Sequence, residues 1–193
     1  AVVDRSGSMS GGPIEAVRTA LHQLVDRLKP QDRFGVVIFD DEAHVQVPTH
    51  AMADHDTATV HALIEGITPQ GTTDLSAGYL LGLSEARRHA TETGASVLLL
   101  SDGHANRGVT DPAQLGSVAA KARAEGITTT TIGIGQGYDE VLLAEVATQG
   151  SGSHRFAFTD DDAIAVVSEE AGDLLSKSIL NAVARIRPSG PAM

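Results

Sequence analysis

The chain has 193 residues, no cysteine, a formal net charge of −11, and 41% apolar but only 3% aromatic residues. That length supports one domain with a real core, burying roughly 70% of the unfolded surface. The acidic balance excludes a protein that tracks nucleic-acid phosphates, the lack of cysteine excludes disulfides and thiolate metal sites, and no apolar run approaches the roughly 18 residues that cross a bilayer.

In chain order, Ala1-Val2-Val3-Asp4 opens almost inside a strand, so a first strand truncated at its N-terminus is expected. "DRSGSMSGG" (4–12) follows as a polar, glycine-rich loop. "PIEAVRTALHQLVDRL" (13–28) carries Ile14, Val17, Leu21, Leu24, Val25 and Leu28 on one helical stripe, with Pro13 suited to a first turn. "FGVVIF" (34–39) predicts a strand, "DDEA" a turn, and the alternating "HVQV" (44–47) a half-buried edge strand completing a hairpin. Helices are predicted over 55–67 and 75–90, separated by "TPQGTTD" (68–74). "SVLLL" (96–100) is continuously apolar, as in a strand covered on both faces, and "SDGHAN" (101–106) follows it. A helix (112–126), a strand (128–135), a helix (139–150), a strand (154–158) and a helix (160–180) complete the pattern. The domain is expected to span 1–180, with 181–193 a helix tail or a linker toward a further domain.

Strands separated by helical crossovers predict an α/β fold: a Rossmann-like, open, twisted sheet, mostly parallel, with helices on both faces. The hairpin adds one antiparallel edge strand. Ligands of such sheets bind at the carboxyl ends of the strands. Counting strand and helix directions brings "DRSGS", "GTTD" and "SDG" to that one end. The side chains collected there are Asp4, Ser6, Ser8, Thr72, Thr73, Asp74 and Asp102, all hard oxygen ligands of the kind that suits Mg²⁺ or Mn²⁺. Side chains two apart in an extended segment point the same way, so Asp4, Ser6 and Ser8 can present oxygens together. Each motif alone has a plainer reading: a turn with a helix N-cap, a helix start capped by Thr73 or Asp74, and an Asp102-Gly103 turn. "DDE" (40–42) reads as a solvated turn two strands from the site.

At these residues the sequence resembles the von Willebrand factor type A domain. Asp4-Arg5-Ser6-Gly7-Ser8 matches the family's Asp-x-Ser-x-Ser motif. Gly71-Thr72-Thr73-Asp74-Leu75 is similar to its second loop, with Thr72 in place of a glycine and Asp74 in place of an asparagine. Leu99-Leu100-Ser101-Asp102-Gly103 matches its third motif. The resemblance implies a metal-ion-dependent adhesion site. Ser6, Ser8 and Thr73 would bind the ion through hydroxyls, and Asp4 and Asp102 would act partly through bound waters. It also implies Mg²⁺ as the ion, with Mn²⁺ or Ca²⁺ as alternatives, and a protein partner that offers an Asp or Glu to it.

A metal-dependent binding module is therefore the leading reading. A Mg²⁺-dependent phosphoryl-transfer or hydrolytic enzyme is a second. No Gly-x-x-x-x-Gly-Lys-Ser/Thr loop or Gly-x-Ser-x-Gly elbow supports it. A metal-free structural module is a third. Compartment is not legible in this chain.

Overall fold

A computed structural model describes residues 1–91, 94–135 and 137–176; the expected tail at 181–193 lies outside them. The alternating apolar runs and amphipathic stretches fold as β1 (Val2–Asp4), α1 (Gly12–Arg27), β2 (Arg33–Phe39), β3 (Ala43–Ala51), α2 (Thr57–Glu65), α3 (Leu75–His89), β4 (Ala95–Ser101), α4 (Pro112–Ala124), β5 (Ile127–Ile134), α5 (Glu140–Gln149), β6 (Ser151–Ala157) and α6 (Asp160–Ser176). The sheet order is β3-β2-β1-β4-β5-β6. Every pairing is parallel except that of β2 with β3. Among the described residues, no helix is long and apolar enough to cross a membrane.

Successive strand residues point to opposite faces, and both faces are covered. Val3, Ile38, Leu100 and Ile132 pack on one side with Val17, Leu21, Ile64 and Val167 of α1, α2 and α6. Val2, Val37, Leu99 and Ile127 pack on the other with Tyr79, Leu115 and Leu143 of α3, α4 and α5. This double cover is why "VLLL" shows no polar alternation. β5 is the exception in composition, because its Thr128–Thr131 run is buried. Its hydroxyls find partners, as buried polar groups must. Thr129 Oγ1 lies 2.8 Å from the Tyr79 hydroxyl, and the Thr131 hydroxyl donates to the Leu143 carbonyl at 3.0 Å.

β3 runs further than the predicted 44–47, straight through Pro48. A proline lacks the N–H needed for a ladder, but an edge strand has one unpaired side on which that is harmless. Phe34 pairs with His50 and Val36 with Val47, so β3 carries an extra residue opposite Gly35. A Cβ at Gly35 would lie 2.2 Å from Thr49 Oγ1.

α3 lies close on the sheet through two glycines one turn apart. A Cβ at Gly78 would sit 2.3 Å from Phe39 Cδ1, and one at Gly82 would sit 2.2 Å from Val2 Cγ2. That approach sets where the N-terminus of α3 meets the carboxyl ends of β1 and β2. Gly82→Ala should therefore destabilise the fold by about 1–3 kcal/mol through overpacking, even though alanine gains about 1 kcal/mol in helix propensity. A urea midpoint equal to or above that of the parent protein would contradict the close approach.

Candidate functional site

β1 is a central strand, and Asp4 at its carboxyl end is fully buried. Its Oδ1 accepts the Ser6 N–H at 2.7 Å and its Oδ2 accepts the Ser101 hydroxyl at 2.6 Å. Arg5 N–H donates to the Phe39 carbonyl at 2.9 Å. The chain then leaves the sheet in a short 3-10 turn over Gly7–Met9, with Met9 buried in the core as its anchor. This turn, rather than strand alternation, brings the two serines together. Ser6 Oγ and Ser8 Oγ are 3.1 Å apart, and the Ser8 hydroxyl donates to Asp102 Oδ1 at 2.8 Å.

The second loop is docked onto the first by its backbone. Gln70 N–H donates to the Arg5 carbonyl at 2.7 Å and Gly7 N–H to the Gly71 carbonyl at 3.2 Å. Gly71 has φ +68°, a conformation glycine adopts without steric cost. The side chains of the loop then divide by task. Asp74 caps α3, its Oδ1 accepting from Ala77 N–H at 2.9 Å and Ser76 Oγ at 2.6 Å. Thr72 is exposed and gives both its N–H and its hydroxyl to Asp41. Thr73 is buried. Its N–H donates to Asn106 Oδ1 at 3.1 Å, and its carbonyl accepts from Asn106 N–H at 3.1 Å. Its hydroxyl and that of Ser8 both lie near Gly103: a Cβ there would be 3.4 Å from Ser8 Oγ and 3.8 Å from Thr73 Oγ1. Of the seven oxygen-bearing candidates, Asp74 and Thr72 are thus engaged elsewhere. Asp4, Ser6, Ser8 and Asp102 are joined by hydrogen bonds, and the Thr73 hydroxyl lies near Gly103, as does that of Ser8.

Three supporting residues escaped the sequence reading. Asp40 directly follows β2, the strand beside β1, so it is one strand from Asp4 and not two, and it is buried rather than solvated. Only Asp41 and Glu42 of that turn are exposed. Asp40 pairs with Arg5 at 2.6 Å and accepts from Gln70 Nε2 at 2.9 Å and Glu42 N–H at 3.0 Å. Its carbonyl accepts the Asp74 N–H at 2.7 Å. The sequence signal was an arginine and an aspartate at the ends of two strands, meaningful only once those strands are known to be neighbours. Ser101 and Asn106 sit in a recognised loop, but no spacing marks them as partners of Asp4 and Thr73. His104, by contrast, is exposed as a loop histidine should be, 3.5 Å from Asp139.

The electrostatics of the two sides differ. Burial opposes ionisation of Asp40, but its hydrogen bonds and the Arg5 guanidinium outweigh that and hold it below the usual carboxylate range. Asp4 goes the other way: burial raises it despite the hydrogen bonds from Ser101 and Ser6. Burial, with the negative Asp4 adding to it, pushes Asp102 up to about 6. Among the described residues, no Lys, Arg or His stands within 4.0 Å of either carboxylate. Hard hydroxyl and carboxylate oxygens with uncompensated negative charge fit a hard divalent cation. No group of three or more His, Asp or Glu gathers for a metal among the described residues. A set of three hydroxyls and two carboxylates is of a different kind.

The family profile of the von Willebrand factor type A domain matches residues 1–170. The uncharacterized protein YfbK of Escherichia coli strain K12 is 28% identical over 177 residues, covering 90% of this chain and 30% of that protein. Among solved structures, a von Willebrand factor type A protein from Catenulispora acidiphila aligns with a TM-score of 0.74 at 20% identity, over 88% of this chain and 41% of that one. Proximal thread matrix protein 1 of the mussel byssus, in a structure with a zinc-occupied MIDAS motif, aligns with a TM-score of 0.68 at 23% identity, over 87% of this chain and 43% of that one. Identities of this order between structures speak for the fold alone. The chain spans about a third of the length of the first curated relatives it matches.

Because Asp102 is raised in the folded protein, the metal-free fold binds more protons than the unfolded chain between about pH 4 and 6. This group's contribution to stability therefore falls as pH rises through that window. Asp102→Asn keeps an acceptor for Ser8 and removes the charge. In chelator, its thermal midpoint should match the parent protein near pH 4 and exceed it above pH 6. A difference between the two that stays constant from pH 4 to 7 would contradict the raised carboxyl.

Proposed function

The chain belongs to the von Willebrand factor type A family, whose domains generally mediate protein interactions, and from that premise we propose that it is a metal-ion-dependent protein-binding module. The observation that carries the reading is the joining of Ser6, Ser8 and Asp102 through hydrogen bonds of 3.1 and 2.8 Å, near a buried Asp4 and the Thr73 hydroxyl, with no basic group of the described residues within 4.0 Å of the Asp4 or Asp102 carboxylate. Mg²⁺, with Mn²⁺ or Ca²⁺ as alternatives, would supply there a Lewis-acidic coordination position for a carboxylate oxygen from an Asp or Glu of the partner.

Each residue has a role its contacts allow. The Ser8 hydroxyl gives its proton to Asp102 and accepts from Ser6, which leaves it one lone pair for a cation. The Ser6 and Thr73 hydroxyls are neutral, so they ligate without cancelling positive charge. Both oxygens of Asp4 already accept hydrogen bonds, from Ser6 and Ser101. Asp4 and the outer oxygen of Asp102 would act at one remove, through water, as the resemblance to the family implies. Three neutral donors and two indirect carboxylates leave a bound dication able to attract a further anion, which is what binding an acidic side chain requires. The zinc in the MIDAS motif of the mussel protein supports a metal at the corresponding place. Binding by this route needs no turnover, and neither a phosphate loop nor a nucleophile elbow accompanies the site.

Calorimetric titration of Mg²⁺ into the chain tests the assignment. Asp4→Ala, Ser6→Ala and Thr73→Val should each weaken binding by at least about tenfold, the scale on which even outer-shell partners act. Thr72→Val should stay close to the parent protein, because its hydroxyl is given to Asp41. Equal affinity in the parent protein and Asp4→Ala would sink the site, and a loss at Thr72 rather than Thr73 would reassign the ligand.

A further inference from the structure

On the face covered by α1 and α2, two histidines meet head to head. His22 of α1 and His61 of α2 have their Nδ1 atoms 2.6 Å apart and their ring centroids 4.8 Å apart. Centroids so far apart at so short an N···N contact mean that each Nδ1 is aimed at the other. The outer nitrogens face carboxylates. His22 Nε2 lies 3.4 Å from Glu65 Oε2, and His61 Nε2 lies 3.1 Å from Asp26 Oδ1. Each helix thus contributes a His and an acid four residues later, and the pairs cross because the helices run antiparallel.

An ionised carboxylate only accepts, so it holds the proton of a neutral imidazole on Nε2. With both rings oriented in this way, two Nδ1 lone pairs point at each other across 2.6 Å. That arrangement repels unless a cation lies between them. The local charges are acidic. Arg18 is shared by Glu15 at 3.0 Å and Glu65 at 3.8 Å, and its guanidinium is anchored on the Ile67 carbonyl. Three acids, Glu15, Asp26 and Glu65, outnumber this one arginine, so the surroundings favour a cation.

We propose that His22 and His61 form a two-histidine site for a transition-metal dication of the Zn²⁺ class, with Glu65 and Asp26 as the outer carboxylates. Imidazole suits Zn²⁺, Cu²⁺ and Ni²⁺, and a ligating histidine usually donates its other N–H to a carboxylate in this way. Zn–N bonds of about 2.0–2.1 Å with tetrahedral geometry need the nitrogens about 3.3 Å apart. Small side-chain rotations supply that opening. Both rings are about a quarter to a third exposed, at 27% and 30%, so water reaches the remaining positions. The metal links α1 to α2 about 15 Å down α1 from Gly12, ten residues of helical rise from the carboxyl end of the sheet. This site is separate from the one proposed above.

The test is a Zn²⁺ titration of the chain at pH 7.5 with Mg²⁺ in excess, followed by the histidine ring ¹⁵N resonances. Expected is a one-equivalent shift at Nδ1 of His22 and His61, with the other histidines unmoved, and a Zn²⁺-dependent rise in thermal midpoint. His61→Gln should abolish both effects. Asp26→Asn, an exposed change that spares the fold, should weaken Zn²⁺ binding by about tenfold. The proposal is overturned if the parent protein and His61→Gln respond to Zn²⁺ alike. It is equally overturned if the two Nδ1 resonances ignore Zn²⁺ and show a proton shared between them.

Discussion

A carboxylate with no exposed surface closes the central strand, and the carboxyl end of the sheet is arranged around it. Asp4 has one oxygen on the backbone of its own loop and the other on the Ser101 hydroxyl of β4. The first contact turns the chain out of β1 into the 3-10 turn that brings Ser6 and Ser8 together. The second ties β1 to β4 at the point where Asp102 emerges. Burying a charge is costly unless it is hydrogen-bonded, and here the hydrogen bonds are also what shape the loops. The residual cost shows in the raised carboxyls of Asp4 and Asp102.

The next strand resolves the same problem in the opposite way. Asp40 is buried too, but Arg5 reaches it, and its carboxyl is held low. Arg5 follows Asp4 in the chain yet serves Asp40. An extended segment sends consecutive side chains to opposite sides, so the guanidinium that could neutralise Asp4 points to the neighbouring strand instead. One side of the loop is thereby a closed structural pair that fastens the Gln70–Asp74 segment. The other keeps its negative charge and its hydroxyls. Removing one partner of a buried pair leaves an uncompensated charge, which makes Arg5–Asp40 a fastening and not a spare ligand.

The second place with unbalanced negative charge lies on the helices. Around Asp4 the acceptors are hard oxygens; between α1 and α2 they are two imidazoles backed by acids. The two would select different metals for the same electrostatic reason, and the overall charge of −11 favours cations at both.

Much of this was legible in the order of residues. Apolar runs and helical stripes give the alternation of strands and helices, and right-handed crossovers turn that order into directions. Directions alone bring Asp4, Ser6, Ser8, Thr72, Thr73, Asp74 and Asp102 to one end, because parallel strands end on the same side and the helix before residues 68–74 climbs to it. The oxygen chemistry of these side chains is likewise written in the sequence. What the tertiary structure decided depends on which strands and helices lie side by side. That Thr72 is held by Asp41 and the Thr73 backbone by Asn106 depends on residues 31 and 33 positions away. The burial of Asp40 follows from β2 lying beside β1. The His22–His61 contact spans 39 positions and exists only because α1 and α2 pack antiparallel. Local pattern determines what each segment is and which way it runs; contacts across the sheet determine which of two similar side chains is free.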